Sequence, residues 1–313
     1  MAVGTRPIIG PVGKVRQDEE ILERPRYSLF KDTLARLRKN KAAMIAGVYI
    51  IALTLAAIVA PLVTPYGRDE THFDTTREPP SSEFWLGTDK LGRDLFTRII
   101  FGARVSLGVA YVGSATAMII GVTYGAIAGY YRGHIDDLMM RFVDLMFGFP
   151  TLLFIILMLL FIPPNSSDAA TMTGLFVALG LVSWLNVARL VRGQFLSLRE
   201  KEFVEAAEAS GASPTRIITR HLLPNAFGPV LIWLTLSIPS LILLESTLSF
   251  IGLGVKPPTP SWGGMLAEGW RAMRSTPHLA IFPAVAIMVT MLAFNFFGDG
   301  LRDAMDPTMR GRD

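Results

Sequence analysis

The chain has 313 residues, 51% apolar and only 18% charged, with a formal net charge of +4. A soluble protein of this length carries about a quarter charged residues, so the deficit concentrates apolar residues in spans, and a nucleic-acid partner is not expected. With no cysteine, disulfides and thiolate metal sites are excluded, and His72, His134, His221 and His278 are scattered without the spacing of metal ligands.

Residues 1–26 carry Pro, Gly and mixed charge without the apolar core of a cleavable signal. They are expected to form a cytoplasmic tail. Tyr27 to Lys41 reads as a basic amphipathic helix, with Leu29, Phe30, Leu34 and Leu37 on one side and Lys31, Arg36, Arg38, Lys39 and Lys41 supplying charge. Such a helix rests on anionic lipid, and residues 1–41 are taken as one N-terminal unit.

A helix crossing about 30 Å of hydrocarbon needs about 20 mostly apolar residues. Six segments qualify: 42–64, 105–130, 142–162, 169–191, 226–252 and 279–298. The third is interrupted by Asp144 and Pro150. Between the first two lies a loop, 65–104, containing Gly87-Thr88-Asp89-Lys90-Leu91-Gly92-Arg93-Asp94. It reads as a turn feeding a short helix, with Asp and Arg available for exposed ion pairs of little stabilising value.

In the second span Gly121, Gly125 and Gly129 recur every four residues, so another helix can approach that face closely. Pro150, Pro229, Pro239 and Pro283 each leave a backbone carbonyl without its usual donor, tolerable where protein or a water-filled cavity supplies partners. Glu245 lies well inside the fifth span. A charge there costs roughly 2.5–3.5 kcal/mol, so it faces protein, water or a partner, or sits neutral and buried or at the outer interface.

Between the fourth and fifth spans, residues 193–225 are polar and helix-prone. Glu202, Ala206, Ala207 and Ala209 favour helix, Gly211 breaks it, and Pro214 can open a second helix as its first residue. The spacing predicts a short helix, a sharp turn, and a second helix returning to the bilayer at Pro224. With the N-terminus inside, 21 of the 30 Lys and Arg residues fall on the cytoplasmic side, so both termini and this loop are expected there. The outer loop 65–104 holds six basic residues but also seven acids.

No nucleotide site appears. Gly10-Pro11-Val12-Gly13-Lys14-Val15 has the wrong spacing for a phosphate-binding loop and lacks the Ser or Thr hydroxyl that holds Mg²⁺. Without nucleophile, metal or acid–base groupings, the chain is read as no enzyme and in need of no cofactor. A secondary transporter is a rival reading, but such proteins often show internal repeats and intramembrane ionisable groups; no repeat is evident here and such groups are few. A non-transporting scaffold is a second rival.

The segment Glu205-Ala206-Ala207, three residues, Gly211, then Leu223-Pro224 resembles the EAA loop of ABC importer permeases. Gly87 to Asp94, Phe101-Gly102-Ala103-Arg104-Val105-Ser106-Leu107, Glu245 to Gly254, Gly298-Asp299-Gly300-Leu301-Arg302-Asp303 and Asp306-Pro307 are similar to the C-type permeases of dipeptide, oligopeptide and nickel importers. The resemblance runs from Tyr27 to Arg310. It implies an all-α integral membrane protein with six transmembrane helices, the type I importer permease fold, and a five-helix core over 105–300 followed by a cytoplasmic tail, 301–313. It further implies a B-type permease partner, two cytoplasmic ABC ATPases, an extracytoplasmic binding protein, and a bacterial or archaeal cytoplasmic membrane. Glu205, Ala206, Ala207, Gly211, Leu223 and Pro224 would then meet the ATPase. Peptides are the favoured cargo, with nickel or another small solute as the alternative.

Overall fold

A computed structural model of the chain describes residues 29–163 and 166–306. The expected N-terminal tail, 1–26, lies outside the described residues, as do Tyr27 and the glycines around Lys14; of the expected C-terminal tail, 301–313, residues 301–305 continue the last helix and 307–313 lie outside the described residues. Among the described residues the chain is helical, with one isolated β-bridge, between Thr88 and Asp94.

A short helix, α1 (Leu29–Lys39), leads into α2 (Lys41–Ile58) and a terminal turn, α3 (Ala60–Val63). Asn40 starts α2: its side chain accepts from the Ala43 N–H at 3.1 Å, satisfying one donor that has no partner within the helix. Then comes α4 (Leu95–Tyr131), capped by Asp94, whose carboxylate accepts from the Thr97 N–H at 2.7 Å. Its apolar run begins near 105, but the cap starts the helix ten residues earlier. At 37 residues it is about 55 Å long, well beyond the hydrocarbon thickness.

After Arg132 and Gly133, both with positive φ (55° and 57°), the chain reverses into α5 (Gly133–Phe147) and α6 (Thr151–Leu160). The expected third span is not one straight helix: α5 and α6 meet at an 83° bend. Pro150 accounts for this, because it lacks an N–H and disfavours helical geometry in Phe149 before it. It stands as the N-cap of α6 rather than inside a helix.

The remaining helices are α7 (Asp168–Leu198), α8 (Glu202–Ala209), α9 (Pro214–Arg216), α10 (Leu223–Phe250), α11 (Trp262–Arg271) and α12 (His278–Met305). Residues 217–222 join α9 to α10 as a π-turn, so 214–250 is one continuous helix. Among the described residues five helices are long and apolar enough to cross a membrane, and the bent α5–α6 pair makes a sixth if counted as one span.

The centre of the fold is the pairing of α4 with α7. A Cβ on Gly121 would lie 2.5 Å from Val187 Cβ, one on Gly125 2.9 Å from Val191 Cβ, and one on Gly129 2.7 Å from Phe195 Cβ. Only glycine permits this approach, and α7 supplies Ala188 opposite. Around this seam one apolar cluster gathers Leu107, Leu175, Leu241, Trp262 and Phe294, and another Val143, Val191, Phe195, Val204 and Leu222. The first span packs on the last: Tyr49 OH lies 3.0 Å from Thr290 Oγ1, and a Cβ on Gly47 would lie 3.2 Å from the Phe297 ring.

Candidate functional site

The loop between α7 and α10 is a built knuckle. Helix α8 ends as a Schellman motif: the Gly211 N–H donates to Glu208 O at 2.9 Å and the Ala212 N–H to Ala207 O at 3.0 Å. This closure requires φ > 0 at Gly211, which has 76°. Ser213 then caps α9, its Oγ accepting from the Arg216 N–H at 3.4 Å. In the π-turn, Leu223 N–H donates to Ile218 O, and the Asn225 side-chain amide donates to His221 O at 2.7 Å. The wider turn accommodates Pro224, which has no N–H to give.

The predicted residues of this knuckle divide by face. Val204 (1% exposed) and Ala207 (9%) are buried with Ile217, Leu222 and Ala226. Glu205, Ala206, Gly211 and Pro224 are exposed, and Leu223 is half-buried. Ala207 therefore belongs to the knuckle's own core, whereas Glu205 and Ala206 lie on its exposed face with Glu202, Phe203, Glu208 and Ala209.

Arginines anchor the knuckle to the bundle. The Arg199 guanidinium sits 4.8 Å from the centre of the Tyr130 ring, donates to the Tyr130 carbonyl, and pairs with Glu208 of α8 at 4.0 Å. Arg132 donates to Leu196 O at 3.1 Å and lies 3.4 Å from Glu200. Thus the end of α4, the end of α7 and α8 are held as one unit.

At the other end of α4, the Gly87–Asp94 motif is folded into the protein. Asp89 accepts from the N–H groups of Leu91 (2.8 Å) and Arg93 (3.0 Å), and from Arg93 Nε at 2.7 Å. Arg98 Nε lies 3.5 Å from the same carboxylate. Asp89, Arg93, Asp94 and Arg98 are all buried, so the expectation of exposed pairs is corrected. Gly92, at φ 72°, presses on the His72 carbonyl where any side chain would collide, and Gly87 likewise packs on the Glu78 carbonyl.

Glu245 is fully buried in α10. Its carboxyl accepts from Ser106 Oγ of α4 at 2.9 Å, Ser249 Oγ at 2.7 Å and Ser246 Oγ at 3.4 Å. It faces protein, and the hydroxyls meet the demand that a buried polar group be hydrogen-bonded. Gly254 and Gly263 back directly onto Ser249 and Ser246, which leaves no room for substrate at this point. Between the α5–α6 bend, α7 and α10 lies an open groove of about 350 Å³. Its walls carry Phe149, Thr151, Asn186, Trp233, Ser237 and Ser240, and no ionisable side chain among the described residues.

The model of the family described as "Binding-protein-dependent transport system inner membrane component" matches residues 121–311. The chain belongs to this family. A second model, the N-terminal transmembrane domain of oligopeptide transport permease C, matches residues 28–80 of this family member. It is 39% identical over 293 residues to the oligopeptide transport system permease protein OppC of Bacillus subtilis (94% of each chain). The dipeptide transport system permease protein DppC of the same organism is 40% identical over 296 residues, covering 94% of this chain and 90% of the relative. Among solved structures, the inward-facing MetNI methionine ABC transporter aligns at a TM-score of 0.54 with 17% identity, covering 67% of this chain and 97% of that one. The fold is that of type I ABC importer permeases.

Several structural residues of this permease are not singled out by sequence reasoning. Arg132, Arg192 and Arg199 count there only toward topology, and Asp136 not at all. The available signal was the run of arginines near the end of α7, where the apolar run gives way to a polar loop.

Proposed function

We propose that this chain is one permease half of an ATP-driven, binding-protein-dependent importer whose cargo is di- or oligopeptides. Its termini and the α8 knuckle face the cytoplasm, and the far end of α4 faces the binding protein. The groove beside the α5–α6 bend forms half of the translocation path, completed by a second permease, and two ATPases engage the knuckle. Peptide cargo is favoured over nickel by the relatives, named for oligopeptide and dipeptide transport.

The observation that carries the reading is the knuckle: a short helix on a buried footing, fixed by Arg199 to α4, with Glu205 and Ala206 exposed. ATP-driven closure moves the partner ATPases, and the shift acts on the bundle only insofar as their contacts with α8 differ between the two states. The test is ATP hydrolysis and peptide uptake by the reconstituted complex carrying Glu205→Arg or Gly211→Pro. Both are expected to lower uptake-coupled hydrolysis while the chain still inserts. Normal coupling in both variants refutes the assignment of the knuckle, and failure to recover an ATPase with the native chain refutes the importer reading.

A further inference from the structure

A second cavity, of about 210 Å³, opens at the start of α4, at the opposite end of that helix from the knuckle. It shares no lining residue with the groove of the translocation path. Around it stand Arg77, Lys90, Arg98 and Arg271, against the carboxylates of Asp89 and Glu268. We propose that this cavity receives a carboxylate side chain of the extracytoplasmic binding protein. The inference rests on the importer reading, which sets the side of the membrane it faces.

The charges within the cavity do not balance. Asp89 is already taken by Arg93, with Nε and Nη2 both 2.7 Å from Oδ2, and by two backbone N–H groups. Glu268 faces Lys90 at 3.6 Å. Arg98, only 3% exposed, is left with long contacts: 3.5 Å to Asp89 and 3.5 Å to the Pro258 carbonyl. Arg77 and Arg271 have no ion-pair partner among the described residues and are exposed at the rim. Four cations thus meet two carboxylates. A guanidinium held out of water calls for close anionic partners, and its planar fork matches a carboxylate in two-pronged fashion.

The rim is also held in place. Arg77 has φ 58°, a left-handed conformation unusual for a residue with a side chain. It persists because the Arg77 N–H donates to Asp89 O at 2.9 Å and the Glu78 N–H to Thr88 Oγ1 at 2.9 Å. Backbone outliers that surrounding structure enforces cluster at binding sites. The fold fixes Arg77 beside the buried Arg98 rather than leaving it free in a loop.

The test uses the full complex, both permeases and both ATPases, in lipid nanodiscs, titrated with its binding protein both free of peptide and loaded with peptide. Arg77→Glu and Arg271→Glu are combined, Arg98 being left intact because it belongs to the Asp89 cluster. The double variant is expected to weaken binding about tenfold or more and to flatten the decline of affinity with salt, while Arg77→Lys/Arg271→Lys keeps most of the affinity. Equal affinity for the native and Glu variants overturns the proposal. So does a loss seen only with binding protein loaded with peptides that have a free C-terminal carboxylate and not with amidated ones, which assigns the cavity to cargo. If inorganic phosphate or acetate weakens binding to the native complex as much as the Glu substitutions do, and removing the binding protein's acidic residues changes nothing, the proposal is overturned and the cavity is assigned to free anions. If the native complex binds no binding protein at all, the importer reading itself fails.

Discussion

Arg192 grips Asp136 with both prongs of its guanidinium, Nε 2.5 Å from Oδ1 and Nη2 2.6 Å from Oδ2. Asp136 is buried while Arg192 is partly open to solvent, and the pair ties the first turn of α5 to α7. Asp136→Asn removes the charge that the fork is built to meet. A hydrogen bond to a charged group contributes about 1.5–3 kcal/mol, so a loss in this range is expected. It reads as a lower thermal unfolding temperature in detergent, and a double-mutant cycle with Arg192→Ala isolates the shared part.

The α4–α7 seam makes a steric prediction. Gly125→Ala places a methyl 2.9 Å from Val191 Cβ and against the Ala188 carbonyl. Backbone cannot yield as a side-chain tip can, so destabilisation of about 1–3 kcal/mol is expected. Gly108→Ala is the control on the same helix, because its new methyl would lie 3.7 Å from the Phe176 ring, an ordinary contact. Equal unfolding temperatures for the two variants would remove the seam from the account of stability.

Burial separates two aspartates of the segment between α3 and α4. Asp89 lies 2.7 Å from Arg93 Nη2 with both side chains less than a tenth exposed, whereas Asp69 lies 2.7 Å from Arg68 with both more than a third exposed. Asp89→Asn strands a buried guanidinium and is expected to cost about 3–5 kcal/mol. Asp69→Asn is expected to cost less than about 1 kcal/mol. Chemical denaturation of the purified chain distinguishes the two.

Arg199 joins α8 to the end of α4 through Glu208 and Tyr130. Arg199→Leu keeps the bulk of the side chain's stem but loses all three polar contacts. In the reconstituted complex it is expected to lower peptide uptake per ATP hydrolysed several-fold, with Arg199→Lys intermediate because a point charge keeps the Glu208 pair but not the planar stacking. Measuring uptake and hydrolysis in the same vesicles checks this.

The helices in this chain are legible wherever one long apolar run decides them, as in 169–191 or 279–298. They are less so where a local polar signal extends or breaks the run. Asp94 starts α4 ten residues ahead of its apolar stretch, and Pro150 bends the third span sharply. The six-residue π-turn before Pro224 is hidden for a related reason, since a proline reads as a break until the widened turn around it is seen. Side-chain roles were harder still. Ala206 and Ala207 are identical in sequence and differ only in which face of α8 they occupy. Likewise the burial of Asp89 and Arg93 depends on segments 72–78 and 258–268, which are distant along the chain.

The contact between α2 and α12 bears on how this protein is made. Tyr49 meets Thr290, Gly47 fits the Phe297 ring, and Ala43 sits against Gly300. Helix α2 thus finds its main neighbour in α12, more than 200 residues later in the chain. Until α12 has been made, that small-residue face of α2 is without its packing partner. A chain that stops before residue 278 therefore leaves α2 unpacked along the face that carries Ala43, Gly47 and Tyr49.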